Sequence, residues 1–203
     1  MGQLKTSVLL IALLLLGLAG AVQAKFDSGL VNISLGNKDS VYEGKGVLGA
    51  DKDKWNAMDG ANGDKVAVTD AKGGKTEVTF TWASDGTYDA DDAGFNGTPY
   101  EKLLRHYLFA HSNKVTISGL TPKAEYDVVV FSASNSNGRT TKFTIGKDSK
   151  STTYDSDKKE LQDGVNYARF TATADADGNI VITYEADDGE GNLNAVQITP
   201  KTK

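Results

Sequence analysis

Cysteine is absent from all 203 residues. No disulfide can therefore staple the chain, and the chain is long enough not to need one, because bridges serve small domains that cannot build a core. The lipid-bearing residue of bacterial lipoprotein anchors is missing as well. Beyond the N-terminal stretch no long apolar run occurs, so no membrane span is expected. Lys and Arg number 22 against 27 Asp and Glu and form no block or stripe, which argues against a nucleic-acid backbone as partner. The formal charge of −5 reads as solubility and leaves neutral sugars, divalent cations and other proteins open. Histidine is scarce too. The two present, His106 and His111, stand five apart, about 140° around a helix, so they do not share an ion on one helical face. Neither an HExxH run nor a GxSxG elbow is present.

The one long apolar run lies at the start. Lys5 precedes Val8 to Leu16, and the segment closes on Val22-Gln23-Ala24, the small-x-small pattern of a secretory signal. The run is shorter than the roughly 20 residues a bilayer span needs. The expectation is a signal peptide over 1–24, cleaved after Ala24, and a secreted, extracellular or cell-surface product. Residues 25–203 are expected to form one domain, a length all-β sandwiches reach without splitting.

From Leu30 onward, β-rich runs alternate with Gly, Asn and Asp clusters. Nine strands are expected, over Leu30–Leu35, Lys65–Thr69, Thr76–Trp82, Lys114–Ser118, Glu125–Ser134, Arg139–Ile145, Val165–Ala174, Asn179–Glu185 and Leu193–Thr199. Val78, Phe80 and Trp82 alternate with Glu77, Thr79 and Thr81, the period of two of a strand with one buried face. Asp177-Gly178 marks a tight hairpin. One segment departs from this pattern: Thr98-Pro99-Tyr100-Glu101 carries capping signals, and Leu103, Leu104, Tyr107 and Leu108 share a helical face. This predicts a short amphipathic helix from Pro99 to about Ala110.

Ser118-Gly119-Leu120-Thr121-Pro122, followed by Tyr126 and Val128-Val129-Val130-Phe131, resembles the tyrosine corner of fibronectin type III and related sandwiches. Four C-terminal stretches, Asn137 to Ile145, Gly164 to Phe170, Asp177 to Ile180 and Gly191 to Ile198, are similar to a recurring bacterial extracellular domain. That domain is common in planctomycete-type surface proteins and has a galactose-binding-like, carbohydrate-binding-module-like jelly-roll fold. The N-terminal part agrees through Val31 to Gly36, Tyr42-Glu43-Gly44-Lys45-Gly46 and Trp55-Asn56. The resemblance implies an all-β jelly-roll sandwich over nearly all of the exported chain and specifies fold better than activity; many members of that family carry a C-terminal sorting tail, which is not expected here.

Gly44-Lys45-Gly46-Val47-Leu48-Gly49 matches the dinucleotide fingerprint by letter, but no helix follows to receive a pyrophosphate. Asp85, Asp89, Asp91 and Asp92 crowd the stretch Ser84 to Gly97 and are candidate ligands for Ca²⁺, which takes six to eight oxygens. Jelly rolls of the resembled kind often carry such a structural calcium. Sugar recognition needs an aromatic platform with amide, carboxylate or Arg groups beside it. Trp55 with Asn56, Tyr88 in the acidic stretch and Arg139 are the candidates, although Trp55 has a competing place in the core. Asn194 is expected to satisfy buried backbone groups. Asn32-Ile33-Ser34 and Asn96-Gly97-Thr98 are formal glycosylation sequons.

These readings converge on a secreted protein that is not an enzyme and binds extracellular glycan or surface polymer. Two other classes stand beside it. One is a structural or adhesive envelope protein that docks on other envelope proteins or itself through strand edges. The other is a small glycoside hydrolase acting through paired carboxylates.

Overall fold

The computed structural model describes residues 26–91, 94–186 and 188–202. The expected signal peptide over 1–24 lies outside them, as does Asp92. Among the described residues there are fourteen strands and one helix. The fold is an all-β sandwich, as the sequence pattern predicts. One sheet of five strands runs in the order β11 (Tyr167–Thr173), β8 (Glu125–Phe131), β14 (Ala195–Pro200), β1 (Val31–Ser34) and β2 (Asn56–Ala57). Against it lies a sheet of six, in the order β10 (Asp148–Thr153), β9 (Thr140–Ile145), β12 (Ile180–Glu185), β7 (Ser112–Ser118), β4 (Lys75–Trp82) and β3 (Gly63–Thr69). A third sheet of three places β6 (His106–Ala110) between β13 (Gly191–Leu193) and β5 (Gly86–Asp89).

The main core fills the space between the two large sheets. Val31, Ile33, Val128, Val130, Phe170 and Ile198 meet Val78, Phe80, Trp82, Ile117, Phe143 and Ile182 there, which accounts for the alternation read in Thr76 to Trp82. The run Val128-Val129-Val130-Phe131 does not alternate, because the five-stranded sheet is covered on both faces. Val129, Phe131 and Ala195 turn away from the main core into a second cluster with Tyr42, Trp55, Phe95, Leu103, Leu104 and Tyr154.

The loop over residues 42–55 is held to this outer face by a buried polar network. Gln197 donates from Nε2 to Asn32 Oδ1 (2.7 Å) and Leu48 O (3.1 Å) and accepts from Leu48 N (3.0 Å). Asn32 donates to Lys54 O (3.0 Å). Buried at 0% exposure, Asn32 is unavailable as a glycosylation acceptor in the folded chain. The glycines that imitate a nucleotide fingerprint serve this packing. A Cβ on Gly46 would come within 2.5 Å of Gln197 Oε1, and Gly49 adopts φ +94°, a conformation glycine reaches without strain.

Tyr126 forms the expected corner. Its hydroxyl accepts from Thr121 N (2.8 Å) and donates to Phe26 O (2.6 Å). The turn expected at Asp177-Gly178 is present, with Asp175 Oδ1 accepting from Asp177 N (2.9 Å) and Asn179 N (2.8 Å). It does not close a hairpin: β11 pairs with β8 in the five-stranded sheet and β12 with β7 and β9 in the six-stranded one, so the turn carries the chain from one sheet to the other.

The predicted helix is present as a single turn, α1, over Glu101–Leu104. The expected capping box does not form, since the first residue of the turn is preceded by Tyr100 without a side-chain cap; Thr98 Oγ1 instead donates to Phe95 O (2.7 Å) and Glu101 Oε2 accepts from Gly97 N (2.7 Å) in the preceding turn. Residues 106–110 leave the helix because both neighbours offer open strand edges and Tyr107 and Phe109 favour a pleated surface. The apolar stripe is thereby divided. Leu103 and Leu104 enter the second cluster, Leu108 and Ala110 the main core, and Tyr107 with Phe109 a small cluster on the far face of β6.

Candidate functional site

The far face of the three-stranded sheet carries an aromatic platform built by strand register. Tyr88 lies directly opposite Tyr107, and Gly86 opposite Phe109. The two tyrosine rings stack at 5.4 Å between centroids with 29° between planes. Tyr107 is buried, whereas Tyr88 is 43% exposed, so the stack offers one ring to solvent. At Gly86 a Cβ would come within 2.4 Å of Phe109 Cζ, so the missing side chain makes room for that ring. Both phenols meet one amide: Tyr107 donates to Asn135 Oδ1 (3.2 Å), and Asn135 Nδ2 donates to the Tyr88 hydroxyl (3.2 Å). Burial pushes the Tyr107 phenol above its ordinary value, against the opposing pull of Arg139.

Beside the platform, Arg139 Nη1 donates to Asn192 Oδ1 (3.3 Å) and lies 3.8 Å from Glu190 Oε2. Asn192 stands opposite Phe109 in the β13–β6 register and is fixed by its backbone N–H, which donates to Thr141 Oγ1 (2.8 Å). A cleft of about 370 Å³ opens here, lined by Gly138, Arg139, Thr140, Asp188, Gly189 and Glu190. Asn194 positions the base of the arrangement. It accepts from Ala133 N (2.7 Å) and donates to Leu104 O (2.8 Å) and His106 O (3.0 Å), the satisfied buried role its sequence context predicts.

Tyr88 and Arg139 thus fall on one surface, and Trp55 and Asn56 do not. Trp55 is 6% exposed, meets Tyr42 and Phe131 edge-on at 5.5 and 6.0 Å, and donates from Nε1 to Gly44 O (3.0 Å). It is a core residue and offers no ring face to a sugar. Asn56 is occupied as a clip between β1 and β3: Nδ2 donates to Asn32 O (2.9 Å) and Thr69 O (2.8 Å), and Oδ1 accepts from Thr69 N (2.9 Å). Sequence reasoning missed Tyr107, Phe109, Asn135 and Asn192. The alternation Tyr107-Leu108-Phe109-Ala110 was a strand signal, masked by a helical stripe over the same residues.

Among the described aspartates, Asp85 and Asp89 do not converge. Asp85 immediately precedes β5 and Asp89 ends it, about 13 Å apart at the rise of an extended strand, too far to share one ion. Each already has a partner. Asp85 Oδ2 accepts from His111 N (2.9 Å), and Arg105 grips Asp89 through Nε to Oδ1 (2.5 Å) and Nη2 to Oδ2 (2.9 Å). Asp91 accepts through its backbone carbonyl from Asn96 Nδ2, and Asp92 lies outside the described residues. Among the described residues no group of three or more His, Asp or Glu could hold a metal ion. The described residues of the expected Ca²⁺ set therefore do not form a site for it.

His106 borders a polar hollow with Asn37, Asp39, Ser40, Asp89, Glu101, Lys102 and Arg105. Burial holds its imidazole below the ordinary value, against an upward pull from Asp89. The Arg105 hydrogen bond lowers the Asp89 carboxyl.

No family model matches the chain, and no curated protein matches it. Solved structures do. The chain resembles a calcium-binding mutant of Bacteroides uniformis beta-glucuronidase 2, with TM-score 0.53 and 12% identity over 85% of this chain. It also resembles Bacteroides uniformis beta-glucuronidase, with TM-score 0.51 and 11% identity over 85%. The chain spans 18% of the length of each. At that identity the likeness shows the fold: a β-sandwich of the kind found within bacterial glycoside hydrolases. One expectation is corrected by it. Both matched chains carry an enzyme's name, so the reading of this protein as not an enzyme no longer stands.

Proposed function

We propose that this protein recognises extracellular carbohydrate on the platform formed by Tyr88, Tyr107 and Phe109, with Asn135 and Arg139 reading hydroxyl groups and the buried Asn192 holding Arg139 in place. The exposed outer ring of the Tyr88–Tyr107 stack carries the reading. It presents a flat apolar face, held rigid from beneath, beside fixed amide and guanidinium groups, the combination a pyranose requires. The fold shared with domains of proteins named as beta-glucuronidases agrees with a carbohydrate setting. Adhesive pairing through strand edges has less support. Edge strand β3 breaks its register twice and carries Lys65 at φ 48°, irregularities that discourage another strand from adding on.

Binding to a panel of soluble polysaccharides tests the proposal, with reducing-end release measured on the same panel to detect cleavage. Tyr88→Ala is expected to weaken binding about tenfold or more, the size of losing a central aromatic contact. Trp55→Phe should leave affinity unchanged. Retention of full affinity by Tyr88→Ala, or a wild-type protein that binds no glycan, would sink the proposal.

A further inference from the structure

We infer that the carbohydrate surface selects against acidic sugars, and that Glu190 is the residue that sets this selection; the inference rests on the carbohydrate reading above. Among the six residues lining the cleft beside the platform, Arg139 is the sole cation, and Asp188 and Glu190 are both carboxylates. The formal charge of the cleft is therefore one negative.

The cation is also engaged. Arg139 Nη1 is spent on Asn192 Oδ1 at 3.3 Å, and Glu190 Oε2 stands 3.8 Å from the same nitrogen. A uronate carboxylate arriving at the platform would have to compete with Glu190 for Arg139 and lie beside Asp188 as a like charge. A neutral pyranose meets no such opposition. It uses the stacked tyrosine, the Asn135 amide and the remaining guanidinium N–H groups, none of which requires a charge on the ligand. Arg139 is joined to Asn192, which stands opposite Phe109 in the β13–β6 register, and this sets the Arg139–Glu190 pair beside the aromatic platform. Asp85 is not among the residues lining the cleft; its Oδ2 accepts from His111 N.

The test compares a soluble neutral β-glucan with polygalacturonate at low ionic strength, using the full exported chain. The neutral polymer is expected to bind at least tenfold more tightly. Glu190→Gln should narrow that ratio several-fold by releasing Arg139, with Asp188→Asn acting in the same direction. Added salt should narrow it for the wild type, because screening weakens exposed charge repulsion. Polygalacturonate binding as tightly as the neutral polymer, or a ratio that neither variant moves, overturns the selection while leaving the carbohydrate reading intact. Failure of every polymer to bind overturns that reading itself.

Discussion

At the scale of single residues, side chains of one type separate by what surrounds them. Trp55 is enclosed by Tyr42, Phe131 and the Gly44 carbonyl, so Trp55→Ala should lower stability by about 3–5 kcal/mol, measured by urea denaturation. Tyr126→Phe removes the hydroxyl that joins Thr121 N to Phe26 O, and about 1–3 kcal/mol is the expected loss. His106 and Asp89 make stability fall with acid in two stages. The folded imidazole is held below its ordinary 6.5, so the unfolded chain takes up the proton first and stability declines as pH drops below about 6.5. Asp89 is held below its ordinary 3.8 by Arg105, so its contribution is present above that value and is lost as pH falls through the lowered folded value. Urea midpoints across pH 3 to 8 should show both stages, and His106→Gln should abolish the upper one alone.

At the scale of elements, β6 decides the site. Leu103, Leu104, Tyr107 and Leu108 satisfy helical spacing, yet they end in three different clusters because the chain changes from a turn of helix to a strand at Arg105. Two open edges, β5 and β13, outweigh a local preference that covers barely three turns. The register that results sets Tyr88 against Tyr107 and leaves Gly86 beneath Phe109. Gly86→Val should therefore push the Phe109 ring out of place at a cost of about 1–3 kcal/mol and weaken glycan binding, although residue 86 touches no sugar. Calorimetry and the polysaccharide panel would separate the two effects; unchanged affinity would detach Phe109 from the platform.

At the scale of the whole molecule, the five-stranded sheet is shared between two clusters, the main core on one face and the Trp55 cluster on the other. Each of β1, β8 and β14 has side chains in both or pairs with one that does, so neither cluster can come apart without disturbing the strands of the other. Unfolding should then be one cooperative transition. The two tryptophans report on it from opposite sides, Trp82 in the main core and Trp55 in the outer cluster. Denaturation curves of Trp55→Phe and Trp82→Phe, followed by fluorescence of the remaining tryptophan, should match the curve from circular dichroism for each variant. Separated transitions would show the outer layer unfolding by itself.

The sandwich was legible in the chain because alternation at Val78, Phe80 and Trp82, the turn at Asp177-Gly178 and the corner at Tyr126 are local patterns with local causes. Tyr88 and Arg139 were also recognisable as residues of the right chemistry, since an aromatic and a guanidinium in Gly- and Asn-rich stretches have few packing duties. Their meeting was not legible, nor was the burial of Trp55 or the separation of Asp85 and Asp89 by the length of one strand. Those outcomes depend on which strand edges find each other across the fold. Sequence spacing along one chain carries the period of a strand but not its register with a partner some twenty residues away, and register is what turned scattered polar and aromatic residues into one surface.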